Sequence, residues 1–114
     1  MTDWVKLVED SSNGGRKLAK ASPDAIKAFG GLMRESMGEG ALDTKTKELM
    51  AVAIGVAVRC EGCIGHHVKS AIRAGASREE LAETLAVTVA MGGGPSWVYA
   101  GQALEAYDQL SAAK

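Results

Sequence analysis

Cys60-Glu61-Gly62-Cys63 puts two thiols three residues apart, and His67 follows four residues after the second. If this run is helical, Cys60, Cys63, Ile64, His67, Val68, Ala71 and Ile72 recur at three- and four-residue spacing and share one face. His66 then points elsewhere and reads as a solvated surface histidine. A cysteine at a helix N-terminus feels the positive end of the helix dipole and the unpaired N–H donors there, and both favour thiolate. A second thiol one turn on can attack the first once that is oxidised or joined to a substrate thiol. His67 can shuttle the proton or stabilise the thiolate. The pattern predicts a dithiol–disulfide centre.

Two other readings use the same residues. The cysteines could be a buried, reduced and inert pair, although their adjacency at a helix start with a histidine on the same face argues against chance. Cys60, Cys63 and His67 with Glu48 would also make four metal ligands. Structural zinc, however, usually takes its second ligand pair from a separate segment, and the chain has no second CxxC and no HxxxH. Glu48 by itself reads as an acid that stabilises the first turn of its helix.

The elements that must position these residues all read as helices, because apolar residues recur at helical spacing and never alternate. A short N-terminal helix through Trp4, Leu7 and Val8 is expected to stop at Asn13-Gly14-Gly15. Ser22-Pro23-Asp24 opens a second, with a capping hydroxyl, proline at the first helical position and an acid in the first turn. Ile26, Phe29, Met33 and Met37 form one face of it, and Gly38-Glu39-Gly40 ends it. A third helix begins near Asp43 or Thr44. From Leu49 to Val58 it is apolar on every side, so other helices must surround it, and Gly55 within it suggests close helix approach. The Cys motif opens a fourth helix that stops at Gly75. Ser77-Arg78-Glu79-Glu80 is a capping box for a fifth carrying Leu81, Leu85 and Val89. A last helix spans roughly Ser96 to Leu110. The expected fold is therefore all-α, a compact bundle of about five to six helices in a single domain over residues 1–114.

Composition narrows the function classes. The 114 residues carry a formal net charge of -1 with no basic run or stripe, so there is no electrostatic footprint for nucleic acid. The long uncharged run from Thr84 to Leu104 contains Gly92-Gly93-Gly94-Pro95, which would break a membrane span. It reads instead as two buried segments joined by a turn. Burying so much uncharged helix in a chain this short predicts a homo-oligomer. The start of the chain lacks the basic and apolar blocks of a secretion signal, and a close Cys pair in the cytoplasm is more often catalytic or metal-binding than a staple. A cytoplasmic location is expected. No Gly-rich strand–turn–helix unit suggests a bound flavin or nicotinamide, so no cofactor is expected.

Taken together, Glu48, eleven residues, Cys60, two residues, Cys63, three residues and His67 resemble the E-x11-C-x2-C-x3-H signature of alkylhydroperoxidase D-like proteins, in the carboxymuconolactone decarboxylase-like superfamily. The flanks resemble it too: Leu42 to Leu49 is similar to the family's lead-in, Ala74 to Leu81 to its next helix start, and Met91-Gly92-Gly93-Gly94-Pro95 to a stretch of its short members. The resemblance covers about residues 22 to 105. It implies an all-helical subunit assembled into trimers or hexamers. It also implies a thiol-dependent oxidoreductase, either a peroxidase or a disulfide reductase, in which Cys60 and Cys63 are the redox pair and Glu48 and His67 a proton relay. The partners implied are a hydroperoxide or disulfide substrate and a separate thiol reductant or reductase. Some peroxidase members carry a histidine just before the second cysteine, where this chain has Gly62, which favours dithiol exchange over peroxidase activity. The alternatives are a lyase like the carboxymuconolactone decarboxylases, which do not need the CxxC pair, and a non-enzymatic oligomeric scaffold or metal-binding protein. One geometric demand follows. Glu48 lies about 18 Å along its helix axis from residue 60, so a plain antiparallel hairpin would set it opposite Ile72. Crossed helices or a neighbouring subunit must bring it to His67.

Overall fold

The computed structural model describes residues 1–113 and contains six helices: α1 (Trp4–Ala21), α2 (Pro23–Met37), α3 (Thr44–Ala57), α4 (Glu61–Arg73), α5 (Arg78–Gly92) and α6 (Gly94–Ala112). There is no strand among the described residues. Local chemistry sets most of the boundaries. Asp3, Asp43 and Ser77 each accept a backbone N–H at the start of α1, α3 and α5. At Ser77 the capping box is complete, with Glu80 accepting the Ser77 N–H in return. Ser22 separates α1 from α2, and its side chain makes no cap bond. The break there comes from Pro23, which disfavours helical backbone in the residue before it.

One expectation fails in α1. Asn13-Gly14-Gly15 does not stop the helix, which runs on to Ala21. Each glycine costs a helix roughly 1 kcal/mol relative to Ala, which weakens a helix without ending it. The segment is held instead by the Asp3 cap and by Trp4 and Val8, both buried.

The core joins Trp4 and Val8 of α1, Val52 and Val56 of α3, Ile64 and Val68 of α4, Leu81 and Leu85 of α5, and Ala100, Ala103, Ala106 and Leu110 of α6. Helix α4 lies in the middle, packed against α1, α3 and α6. Two glycines let its neighbours approach. A Cβ on Gly55 would lie 3.3 Å from the Cys63 Cβ and 3.4 Å from the Ile64 nitrogen, so α3 packs against the first turn of α4 at bare backbone, as the sequence suggested. A Cβ on Gly65 would come within 2.8 Å of Val8 Cγ2 and 3.3 Å of Trp4 Cε3.

The second departure concerns α3. Its Leu49–Val58 stretch was expected to be enclosed on every side, yet Met50, Ile54 and Val58 form an exposed stripe. Phe29 and Leu32 of α2, Val87 and Met91 of α5, and Trp97 and Val98 of α6 are exposed as well, and α2 buries no residue. The Thr84–Leu104 run is indeed two helices meeting at Gly93, but only one side of each is buried within the chain.

Candidate active site

The turn between α3 and α4 sets the cysteines in place. Cys60 N–H donates to Gly55 O and Arg59 N–H to Val56 O, the paired bonds of a Schellman ending. The left-handed residue that this ending requires is Arg59, at φ 60°. The same ending closes α4, where Gly75 takes the left-handed position at φ 92° and Ala76 N–H reaches Ala71 O.

Because the α3 turn closes in three residues, Cys60 becomes the N-cap of α4. Its Sγ accepts the backbone N–H of Cys63 at 3.2 Å. Cys60 and Cys63 are joined as a disulfide across a Cα–Cα distance of 5.2 Å. Cys60 is half-buried and Cys63 is exposed. The two sulfurs are therefore unequal: one sits in the backbone donors of the helix start, and the other faces solvent.

His67 lies one turn beyond Cys63, and its Nδ1 is 2.7 Å from Glu48 Oε1 within the same chain. Glu48 is buried at 8% exposure, so the carboxylate has His67 in place of water. An ionised carboxylate only accepts, so Nδ1 carries the hydrogen toward Glu48 and, in the neutral ring, Nε2 keeps its lone pair. The reach that the sequence left open is met without a second subunit. Between the Gly55 contact and Glu48, α3 advances about 10 Å, while α4 advances only about 5 Å from Cys63–Ile64 to His67. The side chains of Glu48 and His67 span the remainder.

The structure thus forms two contacting pairs, Cys60 with Cys63 at the start of α4 and Glu48 of α3 with His67 of α4, and His67 stands four residues after Cys63 on the same helix. Among the described residues, no group of three or more His, Cys, Asp and Glu side chains is placed to hold a metal ion. A groove of about 540 Å³ between α1, α4 and α6, lined by Val5, Val8, Ile72 and Leu110 with Arg16, Lys69 and Arg73, is lined by none of the four site residues. Cys63 is exposed, so one sulfur of the disulfide faces solvent.

His66 lies at the surface, as read from the sequence, and makes a contact that the sequence did not suggest. Its ring is exposed, yet it packs edge-on against the His67 ring, with centroids 4.9 Å apart and planes at 82°. Helical spacing separates their Cβ directions by about 100°, which hid the contact, because two rings on consecutive residues can still fold toward each other. Partial loss of solvent, and then the charge of His67, push His66 below the ordinary imidazole value.

Comparison with known proteins follows the same lines. Residues 23–106 match the model of the carboxymuconolactone decarboxylase family. An uncharacterized protein of Cupriavidus necator is 44% identical over 95 residues, spanning 83% of this chain and 84% of that one. A Haemophilus influenzae protein is 38% identical over 106 residues, spanning 93% and 94%. Among solved structures, the apo form of a carboxymuconolactone decarboxylase family protein from Legionella pneumophila superposes with a TM-score of 0.92 at 44% identity, covering 95% of this chain and 96% of that one. A family member from Thermotoga maritima, described with a suggested involvement in antioxidative response, gives 0.81 at 30% identity over 94% and 91%. By sequence, by fold and by the helices that frame its CxxC pair, the chain belongs to the carboxymuconolactone decarboxylase family.

Proposed function

We propose that the protein is a cytoplasmic thiol-dependent oxidoreductase that cycles Cys60 and Cys63 between dithiol and disulfide, with His67 and Glu48 as its proton relay. The observation that carries this reading is the 2.7 Å His67–Glu48 contact one turn from the cysteine pair. A carboxylate that fixes an imidazole beside a thiol is the arrangement by which a weak nucleophile is activated. With a hydroperoxide, the Cys63 thiol gives its proton to the relay and its thiolate attacks the peroxide oxygen, and the alkoxide takes that proton back and leaves as the alcohol, so that Cys63 becomes a sulfenic acid. The Cys60 thiol then displaces water from that sulfur and forms the disulfide. Two thiol hydrogens and two electrons leave the protein, and the peroxide is reduced to alcohol and water. A separate dithiol reductant restores the thiols by exchange, again at the exposed sulfur. The capped Cys60 is the leaving thiolate, because the donors at the helix start stabilise its charge.

The family name raises lactone decarboxylation as the other activity, but such chemistry has no use for the disulfide. The test is thiol counting and mass spectrometry before and after one equivalent of hydroperoxide. The reduced wild type is expected to lose two hydrogens and both free thiols, whereas Cys60→Ser and Cys63→Ser form no internal disulfide. Retention of two free thiols in the wild type would sink the proposal. Turnover with several dithiol reductants then separates peroxide from disulfide substrates.

A further inference from the structure

His66 has no part in the reading above, yet its ring lies edge-on against the imidazole that does. The contact, 4.9 Å between centroids with the planes nearly perpendicular, is a favoured arrangement for two aromatic rings. It lies on the solvent side of the relay, while Glu48 holds the Nδ1 atom from the buried side. His67 is thus gripped between a carboxylate on α3 and a ring on its own helix.

We propose that His66 is a positioning residue of the relay: its uncharged ring holds the His67 imidazole in register with Glu48, and protonation of His66 undoes that hold. The proposal rests on the reading of His67 and Glu48 as the relay. The charges around His66 decide when the hold is in force. His67 beside it, and Lys69 and Arg73 further along α4, all oppose a proton on His66, and only Glu48 from α3 favours one. Partial burial acts in the same direction as the cations and is the largest influence. Near neutral pH the ring is therefore uncharged. As the solution is acidified, a positive charge arrives beside His67 and competes with it for Glu48.

The experiment uses the intact protein in two measurements. Ring-nitrogen NMR follows His67 against pH in the wild type, His66→Phe and His66→Ala. In the same proteins, the rate of disulfide reduction by a small dithiol is followed from pH 5 to 8. The wild type is expected to show a two-step His67 titration and, once the rate is divided by the thiolate fraction of the dithiol, an acid limb that falls with two protons. His66→Phe, which keeps a ring and cannot charge, should show a single step and a one-proton limb. His66→Ala should lose about five- to tenfold in neutral-pH rate, and Phe should recover most of that loss. Superimposable His67 titrations in all three proteins would overturn the proposal, as would a Phe variant as slow as the Ala variant. Failure of the relay itself reads differently: His67→Ala would then leave the rate unchanged, while in the wild type the two histidines still titrate as a pair.

Discussion

Gly55 of α3 faces Cys63 of α4 so closely that a methyl group on it would lie 3.3 Å from the Cys63 Cβ. The backbone of α3 is therefore one wall of the CxxC site. Gly55→Ala should be nearly neutral, because the gain of about 1 kcal/mol in helix propensity offsets a contact that is tight but passable. Gly55→Val adds bulk that the first turn of α4 cannot evade, and should cost about 1–3 kcal/mol as overpacking. Urea denaturation of the two variants checks the contrast.

Removing either half of the His67–Glu48 pair should slow thiol chemistry. His67→Ala is expected to reduce turnover by roughly 10²-fold, the low end of what a positioned proton-transfer group contributes. Glu48→Gln keeps a hydrogen-bonding side chain and loses the charge, so its loss should be smaller, about tenfold. Rates of disulfide reduction, measured beside far-UV circular dichroism to confirm folding, separate chemistry from collapse. Equal activity in all three proteins would remove both residues from the relay.

Arg59 occupies a left-handed position that glycine holds at the equivalent turn after α4. A side chain there is strained by about 1 kcal/mol, so Arg59→Gly should raise stability by about 0.5–1 kcal/mol. A higher midpoint in thermal or chemical denaturation is the expected result. A fall would mean that the guanidinium contributes more than the backbone loses.

The pH dependence of stability carries the sign of the His66 shift. Its folded-state value lies below the ordinary 6.5, so the unfolded chain takes up a proton first as the pH falls. Above about pH 6.5 the residue has no effect. Below it the folded state loses ground, until the folded-state value is passed and the loss levels off. His66→Gln should therefore lose less stability than the wild type between pH 7 and pH 5, measured by urea midpoints at the two pH values.

The exposed stripe Met50, Ile54 and Val58 on α3, with Phe29 and Leu32 on α2, leaves more apolar surface in water than a monomer of this size usually tolerates. We expect a stable homo-oligomer, a hexamer or trimer as the family resemblance implies. Sedimentation should show it at micromolar concentration, and Ile54→Glu should shift it toward smaller species. A wild type that sediments as an 11.8 kDa monomer contradicts this.

How much of this was legible in the residues divides along physical lines. Asp43, Ser77 and the Cys motif mark helix starts by local hydrogen bonding, and local chemistry survives tertiary packing. The end of α1 was misread because glycine weakens a helix by an amount that two buried anchors, Trp4 and Val8, can outweigh. Glu48 was legible as a relay partner of His67 only through the resemblance. Its reach to His67 depends on how α3 and α4 diverge, which no spacing along one helix encodes. The His66–His67 contact was hidden for a related reason, since helical periodicity predicts where a Cβ points and not where a ring turns.

The double duty of Cys60 has a further consequence. In the proposed cycle one sulfur both caps the first turn of α4 and exchanges electrons, so that turn has a partner in either state. In the disulfide it is tied covalently, and in the dithiol it faces an atom whose developing charge suits the same N–H group. On the proposed cycle the cap therefore asks for no change in the backbone of this turn, and the two forms would differ mainly in how the cysteine side chains turn about their Cα–Cβ bonds.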